Sequence, residues 1–222
     1  MKEQTIRIIV IGVIAGVVLA IGRDALGIDI DVFMKWYFIG AIVLMICVLL
    51  GVVIYTMNYK NKMIKAMALL NEGKATEYVE VVSAMEQKAL GKSLKNILRL
   101  NLTAGYCDLK EYDKAVEILE KLKSEKLKGD VDLVCRLNTC LCYFYTGRTE
   151  EAMQLYNESK VLFVTAKNKG VHVPNIAILD MWAMIENGRK KEARQYLEFA
   201  REKWPQMRLE EDYRIIEEQL NK

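Results

Sequence analysis

The chain has 222 residues, of which 52% are apolar and 27% charged, with a formal net charge of +3. So even a balance gives nucleic-acid binding no support, because that function needs a concentrated basic face. Two prolines in the whole chain suit long helices, and a chain of this length can bury a real core in one or two units.

The apolar excess sits in residues 1–57, which hold four Lys/Arg and four Asp/Glu, leaving 28 and 25 for the remainder. The first apolar run, Ile8 to Gly22, is 15 residues long and flanked by Arg7 and Arg23, which can snorkel and lengthen a span over about 6–22. Ala20-Ile21-Gly22 also resembles a small-x-small cleavage site, so a removed signal peptide is the competing reading. Gly12, Gly16 and Ala20 recur every four residues and leave one face bare for close helix contact. The second run, Trp36 to Met57, has 22 residues without a charge. At about 1.5 Å per residue it spans roughly 33 Å, enough for a bilayer core of about 30 Å. Trp36, Tyr37 and Phe38 at one end, and Tyr55 and Tyr59 at the other, form the expected interfacial belts.

Lys2 and Arg7 before the first run, and Lys60, Lys62 and Lys65 after the second, outnumber Arg23 and Lys35 between them by five to two. The positive-inside rule then predicts an integral, multi-pass cell-membrane protein with both termini and residues 58–222 cytoplasmic. The five cysteines, Cys47, Cys107, Cys135, Cys140 and Cys142, contain no C-x-x-C pair and lie in apolar helical patterns. Small buried thiols in a reducing compartment are expected. Between Gly51 and Gly73 no Gly or Pro interrupts the helical pattern, so the second span should run without a linker into the next helix.

From there the chain repeats itself. Arg99-Leu100-Asn101 returns as Arg136-Leu137-Asn138 after 37 residues, with Tyr106/Tyr143 and Ala115/Ala152 at the same offset. Gly147-Arg148-Thr149-Glu150-Glu151-Ala152 returns 41 residues later as Gly188-Arg189-Lys190-Lys191-Glu192-Ala193, and the loop Asn168–Pro174 accommodates the extra four. A weaker first copy surrounds Gly73, with Leu69 in the aromatic slot and Tyr78 where Ala belongs. Met207 to Leu220 reads as an amphipathic helix with Leu209, Tyr213, Ile216 and Leu220 on one side.

The segment from Gly105 through Tyr106, Tyr112 and Ala115 to Leu119 resembles the signature of the tetratricopeptide repeat (TPR) family: a small residue and an aromatic in the first helix, a Gly turn, and an Ala in the second. Arg99 and Arg136 stand where that pattern has an early Trp, and its final Pro is met by Pro205 alone. The resemblance implies an all-α fold, in which a transmembrane helical hairpin (1–57) precedes a TPR-like α-solenoid of about four helix pairs and a C-terminal capping helix (58–222). In that family the first helices line a groove that holds extended peptides. The implied groove residues are Asn101, Asn138, Asp108, Tyr145, Trp182 and Glu186. Val134 and Leu137 depart from the basic pattern used to clamp a carboxylate. Taken by themselves, Asn101 and Asn138 also read as helix-surface amides, and Trp182 as a core residue.

No paired nucleophile, phosphate loop or metal-ligand spacing occurs; His172 reads as a loop residue, and Cys140 and Cys142 point about 200° apart on a helix. The expectation is a non-enzymatic, cofactor-free scaffold in the membrane that recruits a protein or peptide partner, with no nucleic-acid or small-molecule ligand. Its alternative is an accessory or regulatory subunit of a membrane complex, recognised through its transmembrane helices.

Overall fold

The computed structural model describes residues 29–205 and 207–222, with 10, 12, 15–18, 21–23, 25 and 27, and at 207–208 the backbone alone. All regular structure among the described residues is helical. The chain divides into two units, Met1–Lys60 and Asn61–Lys222.

In the first unit, most of the expected span over 6–22, Ala20 included, lies outside the described residues. Gly12 and Gly16 are helical, and open space lies over each. Helix α1 (Ile30–Asn71, 42 residues) starts under an Asp29 cap, whose Oδ1 accepts the N–H groups of Asp31 and Val32 at 2.9 and 3.3 Å. It continues unbroken past the end of the apolar run into the second unit, as the missing breakers predict. Large apolar side chains such as Leu44 (66% exposed) and Ile54 (67%) cover its apolar stretch. Water would penalise that surface heavily and a bilayer would not. Thr56 turns its hydroxyl onto the Val52 and Val53 carbonyls at 2.9 Å, removing a free donor from this surface. The helix is long and apolar enough to cross a membrane.

The second unit holds the end of α1 and eight further helices: α2 (Ala75–Lys88), α3 (Lys92–Asp108), α4 (Tyr112–Lys123), α5 (Asp130–Tyr145), α6 (Thr149–Asn168), α7 (Val173–Glu186), α8 (Lys190–Lys203) and α9 (Met207–Leu220). From α2 onward each packs on its successor, and α3–α5, α5–α7 and α7–α9 also touch. Neighbours run antiparallel. Arg194 early in α8 reaches Asn221 just past α9, and Arg201 late in α8 pairs with Glu210 in the first turn of α9.

One turn closes four of the helices equivalently, and it returns once more at Gly170 after α6, where the Val171 N–H reaches the Ala166 carbonyl at 2.9 Å. Gly73, Lys110, Gly147 and Gly188 all have φ between 59° and 76°. The N–H after each returns to the carbonyl five residues back: Lys74 to Leu69, Glu111 to Tyr106, Arg148 to Tyr143 and Arg189 to Met184, at 2.8–2.9 Å. This is a Schellman ending, which satisfies the last carbonyls of a helix and reverses the chain. Three of the acceptors, Leu69, Tyr106 and Tyr143, are the residues aligned in the sequence repeat, and Met184 takes the equivalent place before Gly188. The next helices begin equivalently: Tyr78, Ala115, Ala152 and Ala193 donate to Lys74, Glu111, Arg148 and Arg189. All four are fully buried, so the sequence repeat is a repeat of backbone and of core position.

Helices α4, α8 and α9 bury one stripe each, such as Ala193, Leu197 and Ala200 on α8, as a 3.6-residue period requires. Helix α7 buries Ile176–Leu179 and Met181–Ala183 on nearly all sides, having neighbours all round. The loop before it is 169–172, with Pro174 already inside the first turn, where its missing N–H costs nothing. His172 is exposed at φ 51° and accepts the Ile176 N–H.

Candidate functional site

Contact between α3, α5 and α7 places three first helices of successive pairs side by side. The sequence-assigned residues fall on these helices in different settings. Asn101 is half-buried and donates its amide to the Ile97 carbonyl of its own helix at 2.8 Å. Asn138, also half-buried, donates to Thr103 Oγ1 at 3.3 Å and so links α5 to α3. Asp108 and Glu186, at the ends of α3 and α7, are exposed.

Tyr145 and Trp182 belong to a packed aromatic group. Trp182 stacks on Phe144 (4.9 Å, 8°) and meets Tyr145 edge-on at 6.3 Å, while Tyr112 lies 5.0 Å from Tyr145. Trp182 is 4% exposed, and its indole N–H has no acceptor. Tyr145 donates its hydroxyl to Asp212 of α9. Burial first, and then the Asp212 charge, raise the Tyr145 phenol well above its ordinary range; burial likewise pushes Tyr112 up to about 12. Both are therefore neutral donors at physiological pH. Lys110, in the turn after α3, pairs with Glu211 of α9 at 2.8 Å. The first turns of α9 therefore lie against the α3 turn and the end of α5, across 101 residues of sequence.

Asp212, Glu211 and Thr103 are site residues that sequence reasoning missed. Asp212 lies off the Leu209/Tyr213/Ile216/Leu220 stripe, which leaves no periodic signal for it. Lys167, Asp180 and Tyr156 form a second half-buried polar group, with bonds of 2.5 and 2.7 Å to the Asp180 carboxylate.

The thiols are set up for packing. Burial pushes Cys135 up to about 11 and Cys140 up to about 12. Cys142 lies 3.5 Å from Cys107, whose hydrogen bond is the first cause of its raised pKa and burial the second. Thiols held this far above neutrality are poor nucleophiles and poor metal ligands.

No family model, curated protein or solved structure matches the chain.

Proposed function

We propose that this chain is a membrane-anchored scaffold of the TPR type, which recruits a protein or extended peptide to the cytoplasmic face of the cell membrane. In this reading, spans over about 6–22 and 36–57 form a hairpin, the excess of basic residues outside it keeps residues 58–222 in the cytoplasm, and α9 caps the last helix pair. The observation that carries it is the fourfold Schellman turn in register with four buried second-helix slots. A stack of identical helix pairs generates a continuous face of first helices, and such faces bind extended chains.

The accessible part of that face is Asn101, Asn138, Asp108 and Glu186. Tyr145 and Trp182 support it from beneath, since one is bonded to α9 and the other is buried. The half-exposed amides supply donors and acceptors suited to a peptide backbone.

A second reading is an accessory subunit of a membrane complex, recognised by its membrane helices through the small residues Gly12, Gly16 and Ala20 that recur every four positions in the sequence. Exchanging residues 1–57 for an unrelated two-span anchor separates the two. Retained partner capture supports the scaffold and sinks the accessory subunit; loss of capture by a folded, membrane-inserted exchange variant does the reverse.

A further inference from the structure

The tandem repeat leaves its own charge pattern incomplete at one position. Arg99, which opens the repeated triplet on α3, donates its Nε to Glu86 Oε1 of α2 at 2.9 Å. The 37-residue offset that carries Arg99 to Arg136 carries Glu86 to Lys123. An ammonium group between α4 and α5 thus replaces the carboxylate that bridges α2 to α3. Asp132 compensates from along α5, holding Arg136 Nε at 3.1 Å, and Arg136 Nη1 reaches Ser159 at 3.4 Å. The remaining nitrogen, Nη2, has no hydrogen bond among the described residues. Beside Arg136 lies a cavity of about 270 Å³, lined also by Lys123 of α4, Lys126 and Leu127 of the loop 124–129, and Leu155 of α6. Other polar groups lining it are already engaged: Thr139 donates to the Cys135 carbonyl at 2.7 Å, and Glu125 holds Lys92 at 2.5 Å. Lys123 and Lys126 form no ion pair among the described residues. With Lys92 included, four cations stand against two carboxylates, an excess that a dianion neutralises.

We propose that this cavity binds a short-chain dicarboxylate. One carboxylate accepts from Arg136 Nη2 and Lys123, in the place that Glu86 fills one helix pair earlier, and the other accepts from Lys126. The methylenes between them lie on Leu127 and Leu155. A carboxylate is the complement of a guanidinium edge, whose parallel N–H groups match its two oxygens. The Arg136 side chain is 36% exposed, so its charge is screened less than that of a surface cation. The cavity lies just below the range of about 300–1,000 Å³ typical of drug-sized ligands, which suits a small acid. None of the residues assigned to the partner-binding face lines it, so the site goes beyond the scaffold reading and is tested apart from it.

The test is calorimetric titration of the full chain in detergent with succinate, at constant ionic strength. Saturable binding is expected, roughly tenfold tighter than that of propionate, which has one carboxylate. Lys123→Glu restores the residue that the preceding helix pair carries and supplies the missing carboxylate from within the chain. Lys123 is exposed, so the substitution spares the core. This variant should melt at a higher temperature than the unaltered chain without ligand, and bind succinate at least roughly tenfold more weakly. Lys126→Ala should bring succinate down to the affinity of propionate, with an unchanged circular dichroism spectrum. Absence of saturable heat overturns the proposal, as does succinate binding that Lys123→Glu leaves intact. Equal affinity for succinate, propionate and inorganic phosphate would show an adventitious ion only, and overturns it as well.

Discussion

Gly105 is the described glycine over which a neighbouring helix packs closely, α2 against α3. A Cβ built there would lie 2.6 Å from Val79 Cγ2 and 2.7 Å from Tyr78 Cδ1, against an ordinary carbon contact of about 3.5–4.0 Å. Neither neighbour can step aside. Tyr78 is fully buried, and its hydroxyl is fixed to the Asn101 carbonyl at 2.9 Å, one turn before Gly105. Val79 is β-branched on a helix, where one χ1 rotamer dominates. Gly105→Ala must therefore push the helices apart. Overpacking of this kind costs about 1–3 kcal/mol, while Ala in place of Gly returns about 1 kcal/mol of helix propensity. With two contacts this short, the upper range applies and the net loss is about 1–2 kcal/mol. Thermal unfolding of the full chain in detergent, followed by near-ultraviolet circular dichroism, should show a fall of roughly 3–6 °C. Adding Tyr78→Ala, which restores the residue found in the other three copies, removes one of the two short contacts and should make Gly105→Ala less harmful. The coupling should exceed about 0.5 kcal/mol. Stabilisation of the unaltered background by Gly105→Ala would mean that propensity alone acts and the close approach is absent.

Lys110 holds φ 59° in a turn whose other copies, at Gly73, Gly147, Gly170 and Gly188, all use glycine. Lys110→Gly should therefore raise the melting temperature, gaining roughly 0.5–1 kcal/mol despite losing an exposed pair with Glu211. Asp180→Ala should cost about 1–3 kcal/mol by leaving Lys167 and the Tyr156 hydroxyl without their partner, and Asp180→Asn less, as a denaturant titration would show. The phenols of Tyr112 and Tyr143 are raised to about 12 by burial, so between pH 10 and 12 the folded chain holds protons that the unfolded chain has released. Stability should be independent of these groups below pH 10 and decline from there to pH 12; melting curves that stay level across that window would contradict their burial. Because Cys142 is buried and held protonated, a mild thiol oxidant at neutral pH should leave it reduced although Cys107 lies 3.5 Å away, and a Cys107–Cys142 bridge found by peptide mapping would contradict the packing role.

Much of this was legible in the sequence because helical repeats write their backbone into it. Leu69, Tyr106 and Tyr143 align in the sequence, and they accept equivalent turn hydrogen bonds. Tyr78 was recognisable as a large residue in an alanine slot. Its compensation by Gly105 was not, because complementarity between helices leaves no periodic trace. The α9 contacts to Lys110 and Tyr145 join residues 101 and 67 apart, and depend on how each pair is rotated on the last. Likewise, the Asn101 amide bonds its own helix, and Asn96 is buried with one oxygen unpartnered. Side-chain rotation decides both, and an asparagine reads the same on either side of a helix.

Proximity labelling in cells tests the central claim most directly, comparing the full chain with its Asn101→Ala/Asn138→Ala variant after both are shown to be folded and membrane-inserted. A scaffold working through the face of α3, α5 and α7 predicts a defined set of cytoplasmic neighbours that the variant loses. An unchanged set of neighbours would contradict the account.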